Sequence, residues 1–206
     1  MDFIHKYIPS SGADSDTTFV LLHGTGGNEE DLIPFGQFLA PGAAYLGIRG
    51  KVMEGGAARF FRRLAEGVFD EQDLRFRTQE LTEFLAQATV AYALNPQKLV
   101  AVGYSNGANI AASIMLLKPD TFSAAVLLRA MVPLEPETLP QLNGKPVLMQ
   151  SGRQDPIIPV RNSERLARML GDSGADVTFH LLAAGHALTN AEFATAKSWV
   201  QENACQ

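Results

Sequence analysis

Short apolar runs alternate with longer amphipathic ones along most of the chain, which is the pattern of parallel βαβ units. Residues 18–23 read as a buried strand that Gly24 stops, and residues 44–48 as a second. Residues 98–102, 124–128 and 147–150 give three more, each nearly all apolar, as in strands covered on both faces. Helices are expected between them over 29–39, with Asn28 as N-cap, and over 71–94. Asp70 caps the second, with Asp73 at its N3 position. Further helices are expected over 108–117 and 160–170, then a last strand over 175–182 and a last helix over 190–200. No repeat, low-complexity tract or long linker divides the chain, so residues 1–206 read as one doubly wound α/β domain.

Residues 50–68 are the least regular part, holding Gly50, Gly55 and Gly56 and then the dense run Arg59-Phe60-Phe61-Arg62-Arg63-Leu64. This stretch joins the strand ending at Ile48 to the long helix. It is therefore expected on the carboxyl edge of the sheet, where open α/β sheets carry their ligand sites.

With 46% hydrophobic and 19% charged residues the composition is that of an ordinary soluble globular protein. A formal net charge of −5 argues against nucleic acid as a partner. The one basic cluster, Arg59 to Arg63, is followed by Glu66, Asp70 and Glu71. Cys205 is the only cysteine, which excludes an internal disulfide and a cysteine nucleophile. The first residues, Met1 to Lys6, lack the basic-then-apolar order of a signal peptide, and no apolar run approaches a membrane span. A cytoplasmic setting is the expectation. No His, Asp and Glu cluster has metal-ligand spacing, and His180 and His186 are split between a strand and a loop. Neither a metal nor another cofactor is expected.

Gly103-Tyr104-Ser105-Asn106-Gly107 has the G-x-S-x-G spacing of a nucleophile elbow, with a strand before it and a helix after it. The serine sits in a strained turn, so the positions two before and two after it must lack bulk. A serine hydroxyl needs a base, and the base an orienting acid. In the α/β-hydrolase fold they follow in the order serine, acid, histidine. Of the four histidines, only His186 comes late enough and in a loop between the last strand and the last helix. Asp155 heads the turn after the strand at 147–150, ahead of Pro156. Its rivals Asp120, Asp172 and Asp176 sit at helix exits, where solvated turn aspartates are common. The oxyanion donors are expected to be the amide of Asn106, at the start of its helix, and that of Thr25 in the Gly-rich loop His23-Gly24-Thr25-Gly26-Gly27. That loop lacks the spacing and lysine of a P-loop, and the dinucleotide pattern as well. Phe60, Phe61 and Phe69 are expected to offer aromatic surface to the substrate, and Met131 to fill the acyl side.

Four segments carry a family resemblance: Leu22 to Leu32, the Ser105 elbow, Ser151 to Pro156, and Gly185-His186. Together they resemble the phospholipase/carboxylesterase family, which includes the acyl-protein thioesterases. Arg59 to Gly67 and Phe69 to Glu71 resemble the branch that contains bacterial hydroquinone-specific hydrolases. The likeness runs from Thr18 to Val200. It implies a compact α/β hydrolase with no separate cap domain and with carboxylesterase activity on a small-molecule ester, often as a homodimer. The matching motif positions put the nucleophile on Ser105, the acid on Asp155, the base on His186 and the oxyanion donors on Thr25 and Asn106. Acyl-protein thioesterases usually carry glutamine and leucine where Asn106 and Thr25 stand. Three functions follow: a serine carboxylesterase for short-acyl or aryl esters, an acyl-protein thioesterase or lysophospholipase, and a non-catalytic binding protein that kept the fold.

Overall fold

Residues 2–12 and 16–204 are described by a computed structural model of the chain; Met1 and Cys205 lie outside the described residues. The strands are β1 (His5–Ile8), β2 (Thr18–Leu22), β3 (Ala44–Ile48), β4 (Val52–Glu54), β5 (Ala57–Arg59), β6 (Arg63–Ala65), β7 (Val68–Phe69), β8 (Leu99–Tyr104), β9 (Ala124–Leu128), β10 (Pro146–Gly152) and β11 (Asp176–Leu182). The helices are α1 (Ile33–Leu39), α2 (Glu71–Ala91), α3 (Asn106–Leu117), α4 (Val160–Asp172) and α5 (Asn190–Asn203).

Seven strands form the central sheet in the order β1-β3-β2-β8-β9-β10-β11. All neighbours pair in parallel except β1, which runs antiparallel to β3. Residues two apart on a strand share a face, and the core divides accordingly. Val20 and Leu22 of β2 pack with Leu74, Leu81 and Leu85 of α2, and with residues of α3 and α4. Phe19 and Leu21 face the other way, toward Leu39 of α1 and Trp199 of α5. The five residues of β2, β3 and β9 are buried throughout, as strands covered on both faces must be. The doubly wound α/β-hydrolase architecture expected from the sequence is the one observed.

Several boundaries differ from the expectation. The edge strand β1 carries only half-buried and exposed positions, so no apolar run announces it. The first helix starts at Ile33 rather than residue 29, because the Asn28 side chain accepts from the Glu30 amide (2.8 Å) and holds a turn there instead of capping. Residues 50–68 are not irregular: β4 pairs with β5 and β6 with β7, two short antiparallel hairpins tied through Ala58 to the loop after β2 and through Phe60 to the start of α3. The Asp70 cap is as expected, its carboxylate accepting from the Asp73 amide at 3.0 Å. Among the described residues no helix is long and apolar enough to cross a membrane.

Candidate active site

The turn between β8 and α3 places Ser105 at φ 51° and ψ −111°, a backbone state that L-residues adopt only when their surroundings enforce it. Two glycines make the turn possible. A Cβ on Gly107 would collide with the carbonyl of Leu22, and one on Gly103 would press on the backbone of Ala108. The amide of Ser105 donates to the Leu128 carbonyl at 2.8 Å, which pins the turn to the end of β9.

Loops from two other strand ends meet this serine. The Ser105 hydroxyl lies 3.0 Å from His186 Nε2, and His186 Nδ1 lies 2.8 Å from Asp155 Oδ2. The Asp155 side chain is 1% exposed and that of His186 19%. The other oxygen of Asp155 accepts from the amides of Ile157 (2.8 Å) and Ile158 (3.1 Å). With both oxygens engaged, the carboxylate has one orientation, and it dictates an Nδ1–H tautomer for His186. The rival Asp176 opens β11 opposite Pro146, at the far end of the strands.

Asn106 opens α3, where amides have no acceptor within the helix. Thr25 belongs to the loop after β2 and lines the same groove as Ser105, Asn106 and His186. Its loop is tied to β5 by the Gly26 amide, which donates to Ala58 O at 2.9 Å. Its hydroxyl accepts from Arg59 Nη1 at 2.7 Å. His23, at the root of this loop, is buried; its Nδ1 lies 2.6 Å from Gly24 O, and its Nε2 accepts from the Gly50 amide at 3.0 Å. Burial holds this imidazole below its usual pKa, although the Gly24 carbonyl works in the opposite direction.

The groove has a volume of about 330 Å³. Phe69, Met131, Ile157 and Ile158 are among its apolar lining. Arg59 and Arg63 also line it, sharing the carboxylate of Glu54 at 3.2 and 2.8 Å. Burial, and then the neighbouring Arg63, lower the pKa of Arg59. Of the four side chains expected at the substrate, Phe69 and Met131 line the groove. Phe60 and Phe61 do not line the groove. Phe60 is 3% exposed with its ring 4.8 Å from that of His23, and Phe61 is fully buried against Phe69 at 4.9 Å. Burial of these two rings in the core anchors the segment, and of the three only Phe69 lines the groove.

One arrangement beside the site went unnoticed in the sequence. Arg129 directly follows β9, has φ 57°, and is fully buried with Glu192. Its guanidinium donates to the carbonyls of Gly185 (2.9 Å) and Ala187 (3.0 Å), the residues on either side of His186, and pairs with Glu192. Burial pushes the Glu192 carboxyl up, but hydrogen bonds from Arg129 and Thr189 outweigh it and keep the group below the usual range. Among the described residues, no group of three or more His, Cys, Asp or Glu side chains is placed to hold a metal ion.

Known hydrolases resemble this chain in sequence and in fold. MhqD of Bacillus subtilis (strain 168) is 46% identical over 197 residues, spanning 96% of this chain and 98% of that protein. The Bacillus cereus carboxylesterase has a similar structure, with a TM-score of 0.95 and 44% identity over 98% of this chain and 94% of the other. The carboxylesterase from Mesorhizobium loti superimposes with a TM-score of 0.89 at 28% identity, over 97% of this chain and 94% of that one. The model of the dienelactone hydrolase family matches residues 22–206, from the last residue of β2 onward, and so takes in all the residues described around Ser105. The chain belongs to that family, and it is a hydrolase.

Proposed function

We propose that the protein is a serine carboxylesterase that hydrolyses small esters, short-acyl or aryl, through an acyl-enzyme intermediate. A single arrangement carries the reading: Ser105 Oγ, His186 and Asp155 form an unbroken hydrogen-bonded relay that opens onto the groove. In this reading Ser105 Oγ attacks the ester carbonyl carbon and its proton passes to His186 Nε2. Asp155 fixes the tautomer and stabilises the imidazolium. The amides of Asn106 and Thr25 hold the oxyanion, and the positive end of α3 adds to them. Collapse breaks the bond to the alkoxide, which leaves with the proton from His186. Water, deprotonated by the same nitrogen, then attacks the acyl carbon and releases the acid and Ser105.

The size of the groove supports small substrates, and its mixed lining of apolar side chains and arginines supports an ester that is not uniformly apolar. The test is steady-state hydrolysis across a panel of aryl and alkyl esters, acyl thioesters and lysophospholipids, for the natural chain and for Ser105→Ala. Turnover of short esters that vanishes in Ser105→Ala is the expected result. Preference for long-chain thioesters or lysophospholipids transfers the assignment to those classes. Turnover of nothing, with ligands still bound, identifies a binding protein.

A further inference from the structure

Three consecutive carbonyls of the loop that carries His186 accept hydrogen bonds from side chains outside the loop. Arg129 Nε donates to Gly185 O at 2.9 Å, the Tyr104 hydroxyl to His186 O at 3.1 Å, and Arg129 Nη2 to Ala187 O at 3.0 Å. Tyr104 is the residue before Ser105, and Arg129 is the residue after Leu128, whose carbonyl holds the Ser105 amide. The serine turn and the histidine loop are thus referenced to the same two points of the sheet.

Arg129 is itself tightly set. Its amide donates to Gln150 O at 2.9 Å, and Nη1 donates to the same carbonyl at 3.3 Å and to Glu192. Glu192 is the N3 residue of α5, and its second oxygen accepts from the Thr189 amide (2.7 Å) and hydroxyl (2.8 Å) in a capping box. One carboxylate therefore neutralises the guanidinium and ties it to the helix that follows the histidine loop. A fully buried ion pair is a weak device for stability, since apolar residues of similar volume often serve as well. A non-glycine residue at positive φ is also costly. The geometry that this cost maintains is the spacing of the His186 ring from Ser105.

We propose that Arg129, charge-balanced by Glu192, is a positioning residue for His186: it fixes the backbone on both sides of the histidine and so holds Nε2 within hydrogen-bond reach of Ser105 Oγ. This rests on the assignment of His186 as the general base.

The test compares the natural chain with the double variant Arg129→Met/Glu192→Leu, which removes both charges together and leaves neither orphaned in the core. On a short aryl ester, kcat falls about tenfold to a hundredfold, the loss expected when a reacting group is misplaced by an ångström or less. KM stays within about twofold, because the groove is untouched. The rate of labelling by a fluorophosphonate, counted per folded molecule, falls by the same factor as kcat. A folded double variant with the kcat and labelling rate of the natural chain overturns the proposal. Should the double variant not fold, Arg129→Lys decides: one ammonium cannot span both carbonyls, so kcat falls at constant KM, and an unchanged kcat overturns the proposal. If the natural chain neither turns over esters nor is labelled, the base assignment itself fails. A labelled, active natural chain with an equally active variant sinks only the positioning role.

Discussion

The side chain of Asn106 accepts a hydrogen bond from the amide of Phe60 at 2.7 Å, joining the residue after Ser105 to the segment between the two hairpins. Both residues are buried, so neither group can turn to water instead. Asn106→Ala leaves the Phe60 amide without a partner, at a cost of about 1–3 kcal/mol. For a domain of this size that lowers Tm by roughly 2–12 °C. A thermal melt within about a degree of the natural chain contradicts the structural weight given to this bond.

Asp155→Asn tests the acid. Oδ1 accepts from the amides of Ile157 and Ile158, so the asparagine keeps its oxygen there and turns its NH₂ toward His186. The imidazole then meets a donor at Nδ1 and must carry its proton on Nε2, facing Ser105. The expected loss in kcat is up to about four orders of magnitude, with little change in fold. Asp120→Asn and Asp176→Asn are the controls, and a larger loss from either would place the acid elsewhere.

The serine elbow was legible in the sequence because its glycines are forced by collision, at Gly107 with Leu22 O and at Gly103 with Ala108. The hydrogen-bonded partner of His186, Asp155, could be picked out because it follows an apolar strand and precedes a proline. Arg129 left no such trace. Its partner Glu192 lies 63 residues away, and a single arginine after an apolar run looks like the start of a solvated turn. Phe60 and Phe61 were misplaced because arginines flank them on both sides, a context that suits a surface wall as well as an anchor. Phe60 is held inward by its amide bond to the Asn106 side chain, a contact 46 residues away in the chain that no local pattern announces. The strand β1 escaped for the same reason: its half-exposed residues are held by pairing with β3 rather than by burial.

Buried His23 predicts an acid-sensitive fold. In the folded chain burial holds its pKa below the usual value, whereas the unfolded chain takes up the proton near pH 6.5. Below about pH 6.5 the unfolded state therefore binds more protons, and stability falls as the pH is lowered toward the folded pKa. His23→Gln can still accept from Gly50 and has nothing to titrate. Between about pH 7.5 and 5.5 its Tm should decline less steeply than that of the natural chain. Parallel declines would assign the acid sensitivity to other groups.

Acyl length reads the apolar lining of the groove. Each methylene that Met131, Ile157 and Ile158 can cover is worth about 0.8 kcal/mol, nearly fourfold in kcat/KM. In a groove of about 330 Å³ that cover runs out early. The value of kcat/KM on aryl esters is expected to peak at roughly two to six acyl carbons. A steady rise to about twelve carbons would require a buried channel and favour the thioesterase or lysophospholipase reading.

The most direct measurement of the central claim is the mass of the protein after reaction with a fluorophosphonate, with the modified peptide sequenced. Activation by His186 singles out one hydroxyl, so a single adduct is predicted, on Ser105, and none in Ser105→Ala or on the heat-unfolded chain. An adduct on another residue, or no adduct on a folded chain that still hydrolyses esters, would contradict the account.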